Sequence, residues 1–382
     1  MHESARKILI AAALAAAWPR GAHADDSIAY KYEDYREADG RVAVQTSSAA
    51  INEDLGTDWH LAMTGTIDAI AGATPSGVPA PAGSEQVPLL TTRDHRKAWS
   101  LDLSHVISAV TLDGGFAYSR ESDYTSYGWS LNSVTEFNQN NTALTLGAAG
   151  TEDYVKAYIP GPPWRRKQTG NGIVGLSQVL GPNTLVSANV TWGRSTGFLS
   201  DQYKLVAKDI EVLPGVFLPE TFAENRPNMR DHGTFYAELN QAVPAWHAAI
   251  DADYRYYADT YGIRSNMVEF RWLQHLGRQW ILEPNLRLSE QSAARFYIYD
   301  LNDSPVIPVH DPNGNGPHYS SDYRLSALET TSPGLKLDWR PRANLSLDLA
   351  YNRYELRGTD GVTPQSAYSR AKITSVGAKI LW

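Results

Sequence analysis

Thr374-Ser-Val-Gly-Ala-Lys-Ile-Leu-Trp382 closes the chain. One parity carries Thr374, Val376, Ala378 and Ile380, and the other carries Ser375, Gly377, Lys379 and Leu381. An apolar face opposite a mixed one suits a strand placed between lipid and a polar interior. The terminal aromatic, Trp382, matches the signal by which bacterial outer-membrane barrels are handed to their assembly machinery. The expected fold class is all-β, a transmembrane antiparallel outer-membrane β-barrel.

The other terminus agrees. Arg6 and Lys7 precede the apolar run Ile8 to Trp18, and Ala22-His23-Ala24 offers small residues at both positions a signal peptidase reads. Residues 1–24 are expected to be a signal peptide cleaved near Ala24, leaving 25–382 as a single barrel domain in the bacterial outer membrane. No later segment approaches the roughly 18 to 20 apolar residues of a spanning helix. A closed barrel needs none, because its strands satisfy one another's backbone groups.

Composition excludes several classes. Cysteine is absent, which removes disulfides, thiolate metal sites and a Cys nucleophile. A net charge of −8 provides no basic field for nucleic acid. Tyr (21) and Trp (11) outnumber Phe (8), the bias expected where rings need an apolar body and a wet tip.

Period-two alternation bounded by turn residues predicts sixteen strands. The predicted spans are 28–36, 41–50, 58–70, 97–107, 110–120, 126–138, 142–149, 169–180, 183–193, 232–243, 245–257, 263–276, 279–290, 324–340, 344–355 and 369–382. The turn near Ser108-Ala109 has no Gly or Pro, and without it the count falls to fourteen. With both termini in the periplasm, the long gaps 71–96, 150–168, 194–231, 291–323 and 356–368 all fall outside the cell. The tight turns at Gly181-Pro182-Asn183, Val243-Pro244-Ala245, Gly277 and Arg340-Pro341-Arg342-Ala343 all fall inside, the asymmetry of outer-membrane barrels.

Tryptophan gives a second reading. Trp59, Trp246, Trp272, Trp280, Trp339 and Trp382 share the apolar parity near periplasmic ends, and Trp99, Trp129 and Trp192 share it near extracellular ends. Two aromatic girdles are what a bilayer selects.

The inward parity is rich in acids: Asp68, Asp102, Asp113, Glu136, Glu238, Asp251, Asp253, Glu269, Glu283, Asp338 and Asp348. Its bases are Arg255, Arg271, Arg287, Lys336, Arg340 and Lys379. A hydrated, cation-preferring pore is one reading. A network of ion pairs that rigidifies a narrow barrel is the other. The selectivity candidates are the doublet Asp251 and Asp253 with Arg255, and then Glu283, Arg287 and Asp338.

Several segments carry a resemblance: Asp68-Ala-Ile-Ala-Gly-Ala-Thr-Pro-Ser-Gly77, Arg93-Asp94-His95-Arg96 and Ser119-Arg120-Glu121-Ser122-Asp123-Tyr124. With Asn138-Gln-Asn-Asn-Thr142 and Tyr30-Lys-Tyr-Glu-Asp-Tyr35, they resemble a family of bacterial outer-membrane barrels catalogued as domain of unknown function 3570. The resemblance runs along most of the mature chain and implies fold and location, with no catalytic residue. It also implies a partner set of small lipoproteins and redox proteins, which are often encoded beside members of that family.

Asp68, Arg93, Asp94, Arg96, Arg120, Glu121 and Asp123 are expected to converge at the extracellular rim, where such groups could bind a cation, an anion or a partner. They could equally shape and pin a loop around Gly72 and Pro75. His60, His105, His247 and His275 lie on separate strands without nucleophile-elbow or zinc spacing, so no catalytic, metal or cofactor site is expected. Pro160-Gly-Pro-Pro-Trp-Arg-Arg-Lys167 could grip lipopolysaccharide phosphates or simply anchor a loop end.

A channel or uptake pore for small solutes is thus the leading functional reading. The alternatives are a non-transporting scaffold for a periplasmic, lipoprotein or redox partner, and an outer-membrane enzyme. Other expected partners are outer-membrane lipid, lipopolysaccharide, periplasmic chaperones and the barrel assembly machinery, and no nucleic acid is expected.

Overall fold

A computed structural model describes residues 26–81, 83–157 and 163–382. The expected signal segment 1–24 and residues 160–162 of the basic loop lie outside the described residues. Nine strands come first: β1 (Ser27–Glu37), β2 (Ala43–Leu55), β3 (Trp59–Pro75), β4 (Leu89–Ile107), β5 (Val110–Arg120), β6 (Tyr124–Phe137), β7 (Thr142–Lys156), β8 (Trp164–Gly181) and β9 (Thr184–Gly197). A separate hairpin, β10 (Leu205–Leu213) and β11 (Val216–Ala223), follows. Seven more strands complete the chain: β12 (Met229–Val243), β13 (Ala248–Asp259), β14 (Arg264–Leu276), β15 (Trp280–Gln291), β16 (Leu328–Arg342), β17 (Leu345–Gly358) and β18 (Arg370–Leu381).

All strands except β10 and β11 pair in chain order, with β9 beside β12, and β1 closes the barrel on β18. The seam runs from Ser27 opposite Leu381 to Glu37 opposite Ala371. The amide of Trp382 donates to the carbonyl of Asp26 at 3.0 Å and finishes it. Closure leaves no unpaired edge in the barrel.

The sixteen-stranded reading is correct. Ser108 makes the turn between β4 and β5 without Gly, in the left-handed region at φ 56°. Strands are longer than predicted at one end of the barrel. β3 and β4 stay paired up to Pro75 opposite Leu89, so the gap 71–96 shrinks to 76–88. β7 and β8 stay paired to Lys156 opposite Trp164, so 150–168 shrinks to 157–163. Pairing continues past the bilayer, where lipid no longer imposes an alternation to read.

The outward face is the apolar one. Trp129 lies across Gly150, where an added Cβ would sit 2.7 Å from the indole nitrogen, and Trp192 covers Gly172 in the same way at 2.8 Å. At the short-turn end Trp280 and Trp339 are register partners and stack at 5.3 Å, while Trp246 packs on Trp272 at 5.7 Å.

Because that face is given to lipid, the buried apolar clusters lie at the long-loop end. Val87, Tyr323, Leu328, Leu356 and Tyr368 form one cluster. Tyr261, Ile263, Phe296 and Leu325 form a second, and Val206, Phe222, Leu301 and Tyr319 a third. These clusters build a cap across the mouth. Leu205 N donates to Ser76 O at 2.7 Å, Asn225 and Tyr319 exchange backbone bonds at 3.0 and 3.1 Å, and Tyr297 meets Thr363 at 2.5 Å.

Candidate functional site

Strands β12 to β16 make a charged wall of the lumen. One register row runs Glu238, Asp253, Glu269 and Arg287, and the next runs Asn240, Asp251, Arg271 and Asn285. Arg271 lies between the two acids, 3.2 Å from Asp253 and 3.7 Å from Asp251. Tyr236 and Asn240 also donate to them, at 3.0 and 2.8 Å. Arg255 instead stands over the Tyr236 ring at 5.4 Å. Arg287 pairs with Glu269 at 2.7 Å and Lys336 with Asp338 at 3.0 Å. Glu283 is the register partner of Lys336.

These inward side chains keep solvent-exposed surface. Arg287 retains 48%, Lys336 35% and Asp251 20% of theirs. The opposite wall, β5 to β9, carries mostly hydroxyls, amides and glycines. Ser177 meets Ser187 at 2.8 Å, Thr169 meets Ser195 at 3.0 Å, and Asn132 donates to Asp113 at 3.1 Å. The lumen is therefore asymmetric in charge from one side to the other.

Sequence reading missed the cap altogether. Asp201 and Lys204 follow β9, Glu224 and Arg226 follow β11, and Asp322 and Arg324 precede β16. Glu224 and Asp322 keep 0% and 1% of their side-chain surface exposed. Arg226 reaches Glu224 at 2.6 Å and Asp322 at 2.7 Å, and Arg324 reaches Asp322 at 2.6 Å and also Asp201. Lys204 donates to Thr74 Oγ1 at 3.2 Å and to the Pro75 carbonyl.

Burial opposes the Asp322 charge, yet Arg324, Lys204 and Arg226 outweigh it and hold its pKa below the usual carboxylate range. Burial pushes Lys204 down and Glu224 up. Burial also opposes the Arg226 and Arg324 charges, but the surrounding acids hold both guanidiniums above their ordinary value. The acid-x-base triplet shared by Glu224-Asn-Arg226 and Asp322-Tyr-Arg324 is no signal of the network, since Asp34-Tyr-Arg36 and Asp253-Tyr-Arg255 on barrel strands carry it too.

The rim residues divide into three. Asp68 and Arg96 are register partners inside the sheet and form a buried ion pair facing the lumen. Asp94, Glu121 and Asp123 bring carboxylate oxygens within 4.8 Å of one another, the one group among the described residues that could hold a hard cation. Ser122 already donates to Asp94 at 2.9 Å, and Gln202 and Tyr203 donate to Asp123. Burial, with Asp123 and Asp94 beside it, pushes Glu121 up to about 7. Arg93 and Arg120 point away, on the outward parity of β4 and β5.

The histidines do not converge on a nucleophile. His60 bonds Asp54 at 2.7 Å, and His105 stacks on Trp59 at 4.0 Å. His247 occupies the β12–β13 turn, and His275 lies at the end of β14.

Residues 4–164 and 163–367 match the family described as "Protein of unknown function (DUF3570)". No curated protein matches the chain. Among solved structures it is similar to a bacterial polysaccharide outer membrane secretin, at 8% identity and TM-score 0.51, over 95% of this chain and 100% of that one. It is also similar to CdiB from Acinetobacter baumannii, at 9% identity and TM-score 0.52, over 94% of this chain and 61% of that one. The chain thus spans less than two thirds of CdiB. Likeness at these identities shows an outer-membrane barrel fold.

Proposed function

The chain belongs to the DUF3570 family, and from that premise we propose that it is a conduit for small solutes through the outer membrane, closed at its mouth by a releasable cap. On this reading residues 1–24 are a signal peptide, the long loops lie outside the cell, and periplasmic chaperones and the assembly machinery deliver the barrel. The observation that carries the reading is the solvent-exposed surface kept by Arg287, Lys336 and Asp251 inside the barrel. Charged side chains packed only to brace a narrow barrel would lose that surface. A sixteen-stranded barrel is wide enough for an aqueous path. Glu238, Asp251, Asp253, Glu269, Glu283 and Asp338 outnumber Arg255, Arg271, Arg287, Lys336 and Arg340 on one wall, a slight excess that favours cations.

The test is conductance of the purified barrel in planar bilayers under a salt gradient. Discrete openings with a reversal potential on the cation side support the reading, and a silent barrel that stays silent after cap release refutes it.

A scaffold for a partner is the second reading, and one observation favours it. The β10–β11 hairpin, which is outside the barrel sheet, exposes Val212, Leu213, Val216, Phe217 and Leu218 around its tip as an apolar surface. Periplasmic, lipoprotein or redox partners belong to that reading.

A further inference from the structure

We propose that the outer face of β4 and β5 at the long-loop rim binds a phosphate-bearing glycolipid of the surrounding leaflet. Arg93, His95 and Lys97 are successive outward residues of β4, and Arg120 on β5 is the register partner of Lys97. All four side chains are exposed. Outward neighbours on one strand lie about 6.6–6.8 Å apart, so Arg93 and Lys97 flank His95 in a column roughly two steps tall, with Arg120 beside Lys97.

Several other cations of this outer face have acid partners, although Arg264, Arg357 and Lys372, which are also exposed there, form no ion pair among the described residues. Arg36 pairs with Asp34 at 2.7 Å, Arg166 with Glu152 at 2.8 Å, Arg194 with Asp231 at 2.6 Å, and Arg353 with Glu355 at 3.3 Å. Among the described residues, no carboxylate forms an ion pair with Arg93, Lys97 or Arg120. The lateral neighbours on β3 are Ala71, Ala69 and Ile67, and the neighbour of Arg120 on β6 is Thr125.

Directly below the column, aromatic rings replace the charges. Trp99 is the register partner of Tyr118 and lies 5.5 Å from Phe116, and Tyr118 lies 5.2 Å from Tyr127. Leu101 and Leu103 come next on β4. Cations, then rings, then aliphatic side chains match phosphate, sugar and acyl chains of a lipid standing against the wall. A soluble anion would meet the cations alone, whereas a lipid would meet cations, rings and aliphatic side chains together. The inference rests on the long loops lying outside the cell and not on whether the barrel conducts.

The test uses the full barrel in phosphatidylcholine nanodiscs, titrated with bisphosphorylated lipid A and read by native mass spectrometry. R93Q/K97Q/R120Q is expected to retain about tenfold less lipid A than wild type. R166Q/R194Q, which removes acid-paired cations, should retain it normally. Heat-modifiability on gels checks folding, and if the triple variant fails to fold, K97Q and R120Q singly should each show part of the loss. Equal retention by wild type and the triple variant overturns the proposal. So does equal loss in both sets, equal retention of phosphate-free lipid A, or displacement of lipid A by inorganic phosphate alone.

Discussion

Leu205 donates its amide to the carbonyl of Ser76 at 2.7 Å, although five barrel strands separate β9, which Leu205 follows, from β3, which Ser76 follows. The chain leaving β9 therefore crosses the mouth before it turns into the β10–β11 hairpin. Lys204, one residue earlier, anchors the same crossing on Thr74 and Pro75, and the buried acids around Asp322 hold it from the other side. On the conduit reading proposed above, cap and lumen are two devices, one deciding whether solute passes and the other deciding which charge is preferred.

Arg324→Met should loosen the cap without unfolding the barrel. Removing one partner from a buried ion network leaves Asp322 and Asp201 uncompensated, at a cost of about 3–5 kcal/mol. Limited proteolysis should then cut within 198–228 and 300–326 much faster than in wild type, while heat-modifiability is unchanged. Undiminished protection would mean that the network does not hold the cap.

In the lumen, Arg271→Gln should raise cation preference, because Asp251 and Asp253 lose the guanidinium they share. The pair D251N/D253N should move the reversal potential toward anions. Both shifts should shrink near 1 M salt, where the screening length falls to about 3 Å. Selectivity that ignores both variants would place the conducting path away from this wall.

Glu121 should make the rim sensitive to pH. Burial and the facing carboxylates Asp123 and Asp94 raise its folded-state pKa from 4.5 to about 7, against a smaller opposing effect of Arg96. A raised acid stabilises the fold fully below its unfolded value and loses that contribution as pH rises through about 7. Proteolysis at 121–123 should therefore quicken between pH 5 and 8 in wild type beyond any change in E121Q. The same pH response in both would remove Glu121 from the account.

Deleting Trp382 should lower the amount of folded barrel reaching the membrane. Its ring is exposed at the short-turn rim and its amide closes the seam on Asp26. Heat-modifiable protein in outer-membrane fractions measures the loss, and normal insertion would show that the terminal residue is not the assembly signal.

How much of this was legible depends on where lipid touches the chain. Leu345, Leu347 and Leu349 alternate with Ser346 and Asp348 because one face meets acyl chains, and such strands are read directly from the sequence. Above the bilayer that pressure ends, so the upper parts of β3, β4, β7 and β8 and the β10–β11 hairpin left no alternation to find. The base that meets Asp253 is not the one nearest in sequence, for a geometric reason. Arg255 is two residues along the same strand, roughly 6.6–6.8 Å away, whereas Arg271 is reached across to β14, and strands are spaced about 4.7–4.9 Å apart. Lys204 and Thr74 are 130 residues apart, and no local pattern encodes their meeting.

A reversible lock across the mouth tests the central claim most directly. The chain has no cysteine, so Ser76→Cys with Leu205→Cys introduces a single pair beside an existing backbone bond. Single-channel recordings of this variant carrying Arg324→Met should show openings when reduced, none when oxidised, and openings again after added reductant. Conductance that is the same in the oxidised and reduced barrels would contradict a cap that controls the path.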